Sequence, residues 1–257
     1  TGGSSAAAHE VVALIKERGG EAIANGANVA LIGDVEQMVA EAMAAWGRVD
    51  ILVNNAGILR DKTFAKMDLV DFDLVMNVHL SGSVNCTKTV WEIMREQNYG
   101  RIVMTTSSSG LYGNFGQSNY GAAKMAVIGL MNTLVLAGQK YNIHVNALAP
   151  AAATRMTEDL GIDEGALSLM KPEAVTAGLL TLCHDKAPSR FILCAGAGGY
   201  ASTQIYETDG IFLPPEEQTP EAIMARWSEV ADPKGQAVLH SGAEQSEKFL
   251  KKAMMQK

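Results

Sequence analysis

Apolar residues recur along this chain in two ways, at helical spacing in some stretches and as short unbroken runs in others, and the two alternate. From Ala6 to Arg18 the apolar positions fall three and four apart. Ser5 stands before them as an N-cap and Gly19-Gly20 follows as a stop, so the pattern predicts a helix. Glu21 to Val29 predicts a short strand, and Val35 to Trp46 a second helix stopped by Gly47. Val49-Asp-Ile-Leu-Val53 is a short apolar run of the kind buried in a parallel sheet. Asp71 to Gln97 reads as helix in two parts with a break near Ser81-Gly82, and Arg101 to Thr106 as a strand. Tyr120 to Gln139 reads as a long, largely apolar helix, and Asn142 to Ala149 as a strand ending at Pro150. Pro172 to Cys183 reads as helix, and Arg190 to Cys194 as a last strand before Gly196-Ala-Gly-Gly199.

Strict alternation of strand and helix predicts an α/β fold with a doubly wound parallel sheet. Such folds bind ligands at the carboxyl ends of their strands. Asn54, Ser107 and Pro150 each follow a strand, so they are expected along one edge of the sheet. From Tyr200 the alternation stops. The remaining stretch is polar, contains Pro214-Pro215 and a helical segment from Pro220 to Val230, and ends in a charged, helical tail. The expected division is therefore a domain at 1–199 and a C-terminal extension at 200–257.

A chain of 257 residues that is 47% hydrophobic can bury a substantial core. Its net charge of -7 argues against a nucleic-acid binder, which needs clustered Lys and Arg, and against a polybasic membrane-surface protein. Cys86, Cys183 and Cys194 are odd in number and widely spaced, which fits reduced core thiols rather than disulfides. The five histidines show no metal-ligand spacing, so no metal is expected. No apolar run reads as long enough to span a membrane, and Thr1-Gly-Gly-Ser-Ser5 has neither the basic nor the apolar part of a signal peptide. A cytoplasmic location is the expectation. The 13 methionines read as core filling.

The candidate chemistry lies in Asn119-Tyr-Gly-Ala-Ala-Lys124. Tyr120 and Lys124 are four apart, hence on one face of a helix. A cation there favours the phenolate and is expected to lower the tyrosine pKa from its usual value near ~10. Ser107, thirteen residues before the tyrosine, supplies a hydroxyl from another segment. Ser108 and Ser109 compete for that role; the offset selects Ser107. The set is a layout for acid–base chemistry on an alcohol or a carbonyl. Asn54-Asn-Ala-Gly57 follows a strand with small residues that let the backbone approach a flat ligand. Asn54 itself reads as a tie between neighbouring strands, and Asn55 as the cofactor contact.

With these spacings the chain resembles the short-chain dehydrogenase/reductase family from about Ser4 to Tyr200. Asn55-Ala-Gly-Ile-Leu-Arg-Asp61, Asn98-Tyr-Gly-Arg101, Gly110-Leu-Tyr-Gly-Asn-Phe-Gly-Gln117 and Thr219-Pro-Glu-Ala222 with Trp227 narrow the likeness. They are similar to the 3-hydroxyacyl-CoA dehydrogenase part of peroxisomal multifunctional enzyme type 2 and its bacterial relatives. The resemblance implies a Rossmann-type fold and a nicotinamide-dependent oxidoreductase that interconverts a secondary alcohol and a ketone. It implies a 3-hydroxyacyl-CoA/3-oxoacyl-CoA pair as substrate, with a steroid or sugar-like alcohol as the alternative. It also implies Tyr120 as general acid/base, Lys124 as its pKa modulator and nicotinamide-ribose contact, and Ser107 as holder of the substrate oxygen. Asn55, Ala56 and Gly57 would lie along the cofactor's adenosine side, Asn28 and Val29 near adenine, and Thr154 at the nicotinamide carboxamide. The family pairs its long helices into dimers or tetramers, here the helix from Tyr120 and the one around Thr87 to Glu96.

Three departures qualify these implications. The family's catalytic asparagine position is occupied by His79, in Val78-His-Leu80, as a proton relay or as a satisfied core histidine. The loop after Pro150-Ala151 is one residue short, so Arg155 competes with Thr154. The family's opening β-α-β unit, with its glycine-rich pyrophosphate turn, has no counterpart in this sequence. A preceding segment is the expected explanation, and a truncated, inactive binding scaffold the alternative. NAD is favoured over NADP, although the residue that separates them belongs to the missing unit.

Overall fold

The computed structural model describes residues 6–153 and 164–255. Helix α1 (Ala6–Glu17) is followed by α2 (Ile32–Trp46), which ends on Gly47. At φ 71° Gly47 sits in the left-handed region, and its N–H closes on the Met43 carbonyl. Between these helices the strand expected at 21–29 does not form. A strand exists only through a neighbour's hydrogen bonds, and among the described residues no strand pairs with this segment. Its polar groups turn inward on the chain instead. Asn25 Oδ1 accepts from Ala27 N–H, Asn28 Oδ1 accepts from Ala30 N–H, and Asn28 N–H donates to Asp34.

Alternation then holds as expected. Strand β1 (Ile51–Asn54) leads to α3 (Leu69–Met76), α4 (Gly82–Gln97), β2 (Gly100–Thr105), α5 (Ser108–Tyr112) and α6 (Ser118–Gly138). After β3 (Ile143–Ala151) come α7 (Glu164–Leu169), α8 (Pro172–Cys183), β4 (Ile192–Gly196) and β5 (Gly199–Thr203). The strands form one sheet in the order β1-β2-β3-β4-β5, and the first three pairings are parallel. Two boundaries differ from expectation. β3 runs through Pro150, which pairs with Ala195, and the sheet continues past Gly199 into β5. The sequence of β5, Gly-Tyr-Ala-Ser-Thr, is small, polar and mostly exposed, so it carries no apolar alternation to read.

At β2 both faces of the sheet are covered, as side-chain alternation requires, whereas Ile51 and Val53 of β1 stay exposed. Ile102 and Met104 pack with Met94 of α4 and Ile128 and Met131 of α6; Val103, between them in sequence, packs with Leu182 of α8. The break expected near Ser81-Gly82 is a π-helical turn, Asn77–Ser81, that joins α3 to α4 without interruption. By length and composition the helical run Ser118–Tyr141 is apolar enough to cross a membrane, contrary to the sequence expectation. Its Ala123, Val127, Ile128 and Met131 are buried in the core.

The first compact unit ends at Ser202, and the second runs from Thr203 to Lys257. In the second, β6 (Tyr206–Glu207) pairs antiparallel with β7 (Ala237–Val238). The single helix expected at 220–230 is two short ones, α9 (Pro220–Ala225) and α10 (Trp227–Val230), separated at Arg226 with φ -111° and ψ 22°. The charged tail forms α11 (Gly242–Met255), whose Lys248 and Lys252 donate to the carbonyls of Thr208 and Gly210.

Candidate active site

The carboxyl ends of β1 and β2 meet in one region, because the two strands are neighbours in parallel register. Asn54 is buried, and its Nδ2 donates to Thr87 Oγ1 (3.1 Å) on α4 and to Met104 Sδ (3.3 Å) on β2. It is a tie between elements, as its position suggested. Asn55, Ala56 and Gly57 continue exposed beyond the strand. Asn55 Oδ1 accepts from Thr105 Oγ1 at 3.3 Å. A cavity of about 260 Å³ lies beside them, lined by Val29, Asn55, Ala56, Val78, Gly82 and Ser83 among others. Val29 reaches it because Gly82 lacks a side chain: a Cβ there would stand 2.7 Å from Val29 Cγ2. The structure thus brings Val29, Asn55 and Ala56 around one cavity. Asn28 and Gly57 adjoin them in the chain, while Thr154 and its competitor Arg155 lie outside the described residues.

Ser107 is the N-cap of α5, and its hydroxyl accepts from Ser109 N–H at 3.2 Å. The same side chain hydrogen-bonds to Tyr120, in the first turn of α6. Ser109 turns elsewhere and donates to Gln117 Oε1 at 2.7 Å. Close contact between α5 and α6 sets this arrangement. A Cβ on Gly110 would fall 2.7 Å from Lys124 Cβ and 2.9 Å from Met125 N.

Lys124 is one turn beyond Tyr120 and only 4% exposed. Its Nζ donates to the Thr105 carbonyl at 2.7 Å and stands 5.5 Å from the Tyr120 ring centroid. Burial pushes its pKa down to about 8. The tyrosine departs from the sequence expectation. Its pKa is raised, first by burial, with the Asp61 carboxylate adding to the rise and the Ser107 hydrogen bond opposing it. The Lys124 ammonium is directed at a backbone carbonyl, and burial decides the direction for the phenol.

His79 sits on the π-helical turn, 3% exposed and edge-on to Tyr120 with ring centroids 5.2 Å apart. Its Nε2 faces both the N–H (3.1 Å) and the carbonyl (2.8 Å) of Ile58, while Nδ1 is buried with no partner among the described residues. Burial, reinforced by the Lys124 charge, lowers its pKa to about 4, so the ring is neutral at pH 7. Gly57 makes room for it: a Cβ there would lie 2.3 Å from His79 Cε1.

Two residues to which the sequence assigned no role also belong here. Gln117, 8% exposed, donates from Nε2 to Asp61 Oδ2 at 2.6 Å, and its Oε1 accepts from Ser109 and Asn114. No spacing signals a pair 56 residues apart. Among the described residues no group of three or more His, Cys, Asp or Glu is placed to hold a metal ion.

The profile of the family described as short chain dehydrogenase matches residues 1–165. The chain belongs to the short-chain dehydrogenase family. Among relatives of this short-chain dehydrogenase, peroxisomal multifunctional enzyme type 2 of Mus musculus is 44% identical over 234 residues. That match covers 90% of this chain but 31% of the mouse protein. A 3-oxoacyl-[acyl-carrier-protein] reductase of Synechocystis is 41% identical over 214 residues, covering 80% of this chain and 82% of the reductase. The solved full-length peroxisomal multifunctional enzyme type 2 of Drosophila melanogaster superposes with a TM-score of 0.82 at 36% identity. It is covered over 43% of its length and covers 95% of this chain.

A solved 7α-hydroxysteroid dehydrogenase complexed with NADH is 26% identical with a TM-score of 0.70, covering 76% of this chain and 81% of that one. The residues present fit part of such a cofactor. Small, exposed backbone at 55–57, the adjoining cavity and the buried Lys124 beside Tyr120 offer a surface for a flat ring system and a ribose. The glycine-rich turn that grips a pyrophosphate does not occur in this sequence.

Proposed function

We propose that this short-chain dehydrogenase interconverts 3-hydroxyacyl and 3-oxoacyl thioesters, with coenzyme A as the thiol carrier. The observation that carries the chemistry is the Ser107–Tyr120 hydrogen bond with Lys124 buried one turn away. The acyl assignment draws support from the quoted segments around Asp61 and Gln117 and from the likeness to a 3-oxoacyl reductase.

In this reading Ser107 donates to the substrate oxygen and fixes it beside the phenol. Tyr120 gives its proton to the developing alkoxide in reduction and takes it back in oxidation. A raised pKa suits reduction, since the phenol stays protonated at neutral pH. Lys124 supplies positive charge that favours the phenolate once the proton has left, and would hold the ribose hydroxyls. Val29, Asn55 and Ala56 would hold the adenosine side, with Asn28 and Gly57 beside them. Thr154 remains the residue proposed for the carboxamide. When bound, the nicotinamide supplies or accepts the hydride. His79, neutral and locked onto Ile58, holds the 55–58 backbone rather than relaying protons.

Self-association is part of the proposal. The exposed face of α6 carries Ala122, Met125, Gly129 and Leu136 and no charge, which suits pairing with a second copy. A panel of 3-hydroxyacyl-CoA, steroid and sugar-like alcohols, followed by nicotinamide absorbance, tests the substrate. The acyl-CoA compounds are expected to give the highest kcat/KM; preference for a steroid would overturn the assignment.

A further inference from the structure

Three hydrogen bonds from the consecutive residues Arg60, Asp61 and Lys62 join the loop after β1 to the start of α6 and the loop before it. Asn119 Nδ2 donates to the Arg60 carbonyl (3.0 Å), Gln117 Nε2 donates to Asp61 Oδ2 (2.6 Å), and Lys62 N–H donates to the Gly116 carbonyl (2.9 Å). Asn119 is fully buried and Gln117 nearly so. The first loop starts at Asn55–Ile58, already held by His79, and the second ends at Tyr120. Gln117 also starts α6, where its carbonyl accepts from Gly121 N–H at 2.7 Å. Its Oε1 accepts from Ser109 Oγ (2.7 Å) and Asn114 Nδ2 (3.0 Å), extending the connection to α5, which Ser107 caps.

We propose that Asp61 and Gln117 are positioning residues for the reaction. Their hydrogen bond fixes Tyr120 and Ser107 in register with the cofactor-side backbone, and it places a carboxylate on the tyrosine's side of the site. This inference rests on the reading of Tyr120 as the acid/base.

The charges around the phenol make the claim specific. From its own helix the phenol meets Lys124, and from the π-helical turn the neutral His79. The first loop contributes Asp61, which raises the tyrosine pKa. Arg60 and Lys62 on either side of Asp61 are paired with Asp71 of α3 (3.6 and 3.9 Å), and Asp61 is held by Gln117. A carboxylate too remote to act on the phenol would leave the proton equilibrium of Tyr120 alone.

Two variants in the full-length enzyme test this, measured in the alcohol-oxidation direction with the best alcohol of the panel. Asp61→Asn keeps an acceptor for Gln117 and removes the charge. Oxidation needs the phenolate, so kcat/KM rises with pH through the tyrosine pKa. Removing a negative charge lowers that pKa, and the rising limb is expected to move to lower pH with the melting temperature unchanged. Gln117→Met keeps volume and loses the bonds. It is expected to lower kcat by up to about a hundredfold, with KM changed far less. A superimposable pH profile for Asp61→Asn, or an unchanged kcat for Gln117→Met, would overturn the proposal. Failure of the underlying reading is distinct: Tyr120→Phe would then stay active and the limb would not belong to Tyr120.

Discussion

Lys124 carries a charge into a site where it is 4% exposed, with the Thr105 carbonyl as its hydrogen-bond acceptor. Its pKa of about 8 lies below the ordinary lysine value of 10.5, so the unfolded chain binds more protons between those two values. Stability therefore rises with pH through that window. At pH 7 the buried ammonium costs about 3 kcal/mol. Replacing it by an apolar chain is expected to stabilise the fold while removing activity, the trade expected of a group retained for chemistry. Lys124→Met should gain about 1–2 kcal/mol at pH 7 in chemical denaturation, after allowance for the Thr105 carbonyl left without its donor. The gain should shrink above pH 8. A variant less stable than the parent at pH 7 would show that the ammonium holds the fold together.

At the level of elements, the site depends on how α5 lies against α6. Gly110 lets the two backbones meet, and a Cβ there would press on Lys124 Cβ and Met125 N, neither of which is a flexible chain end. Gly110→Ala is expected to destabilise the fold by about 1–3 kcal/mol and to weaken catalysis by separating Ser107 from Tyr120. A denaturation midpoint and kcat both unchanged would contradict this account of the packing. The parts of the site legible in sequence were those fixed by local geometry. Tyr120 and Lys124 share a face through helical spacing alone, and Ser107 follows a strand whose apolar run is plain. What was not legible depends on partners distant in sequence. Residues 21–29 read as a short strand between two helices, but among the described residues no strand pairs with them. His79 gives no sign that its ring bonds a backbone 21 residues earlier, and Asp61 meets Gln117 across 56 residues. The direction of the tyrosine shift is not legible for the same reason: spacing shows the nearby cation, whereas burial comes from the whole surrounding structure.

At the scale of the whole molecule, the chain divides into two compact units, the dehydrogenase unit to Ser202 and the unit from Thr203 to Lys257. On the first, Met125 is 40% exposed at the centre of the uncharged α6 face, next to Gly129, whose Cβ would meet open space. A second copy seated there would be disrupted by a charge. Met125→Lys is expected to shift the protein toward monomer in analytical ultracentrifugation, and an unchanged mass would contradict pairing through this face. The central claim concerns the proton at Tyr120, and turnover of 3-hydroxyacyl-CoA by Tyr120→Phe, followed by nicotinamide absorbance, tests it most directly. The expected result is a folded protein whose kcat falls by about 10²–10⁴-fold, the usual contribution of a positioned acid or base. Near-parental turnover by that variant would contradict the account.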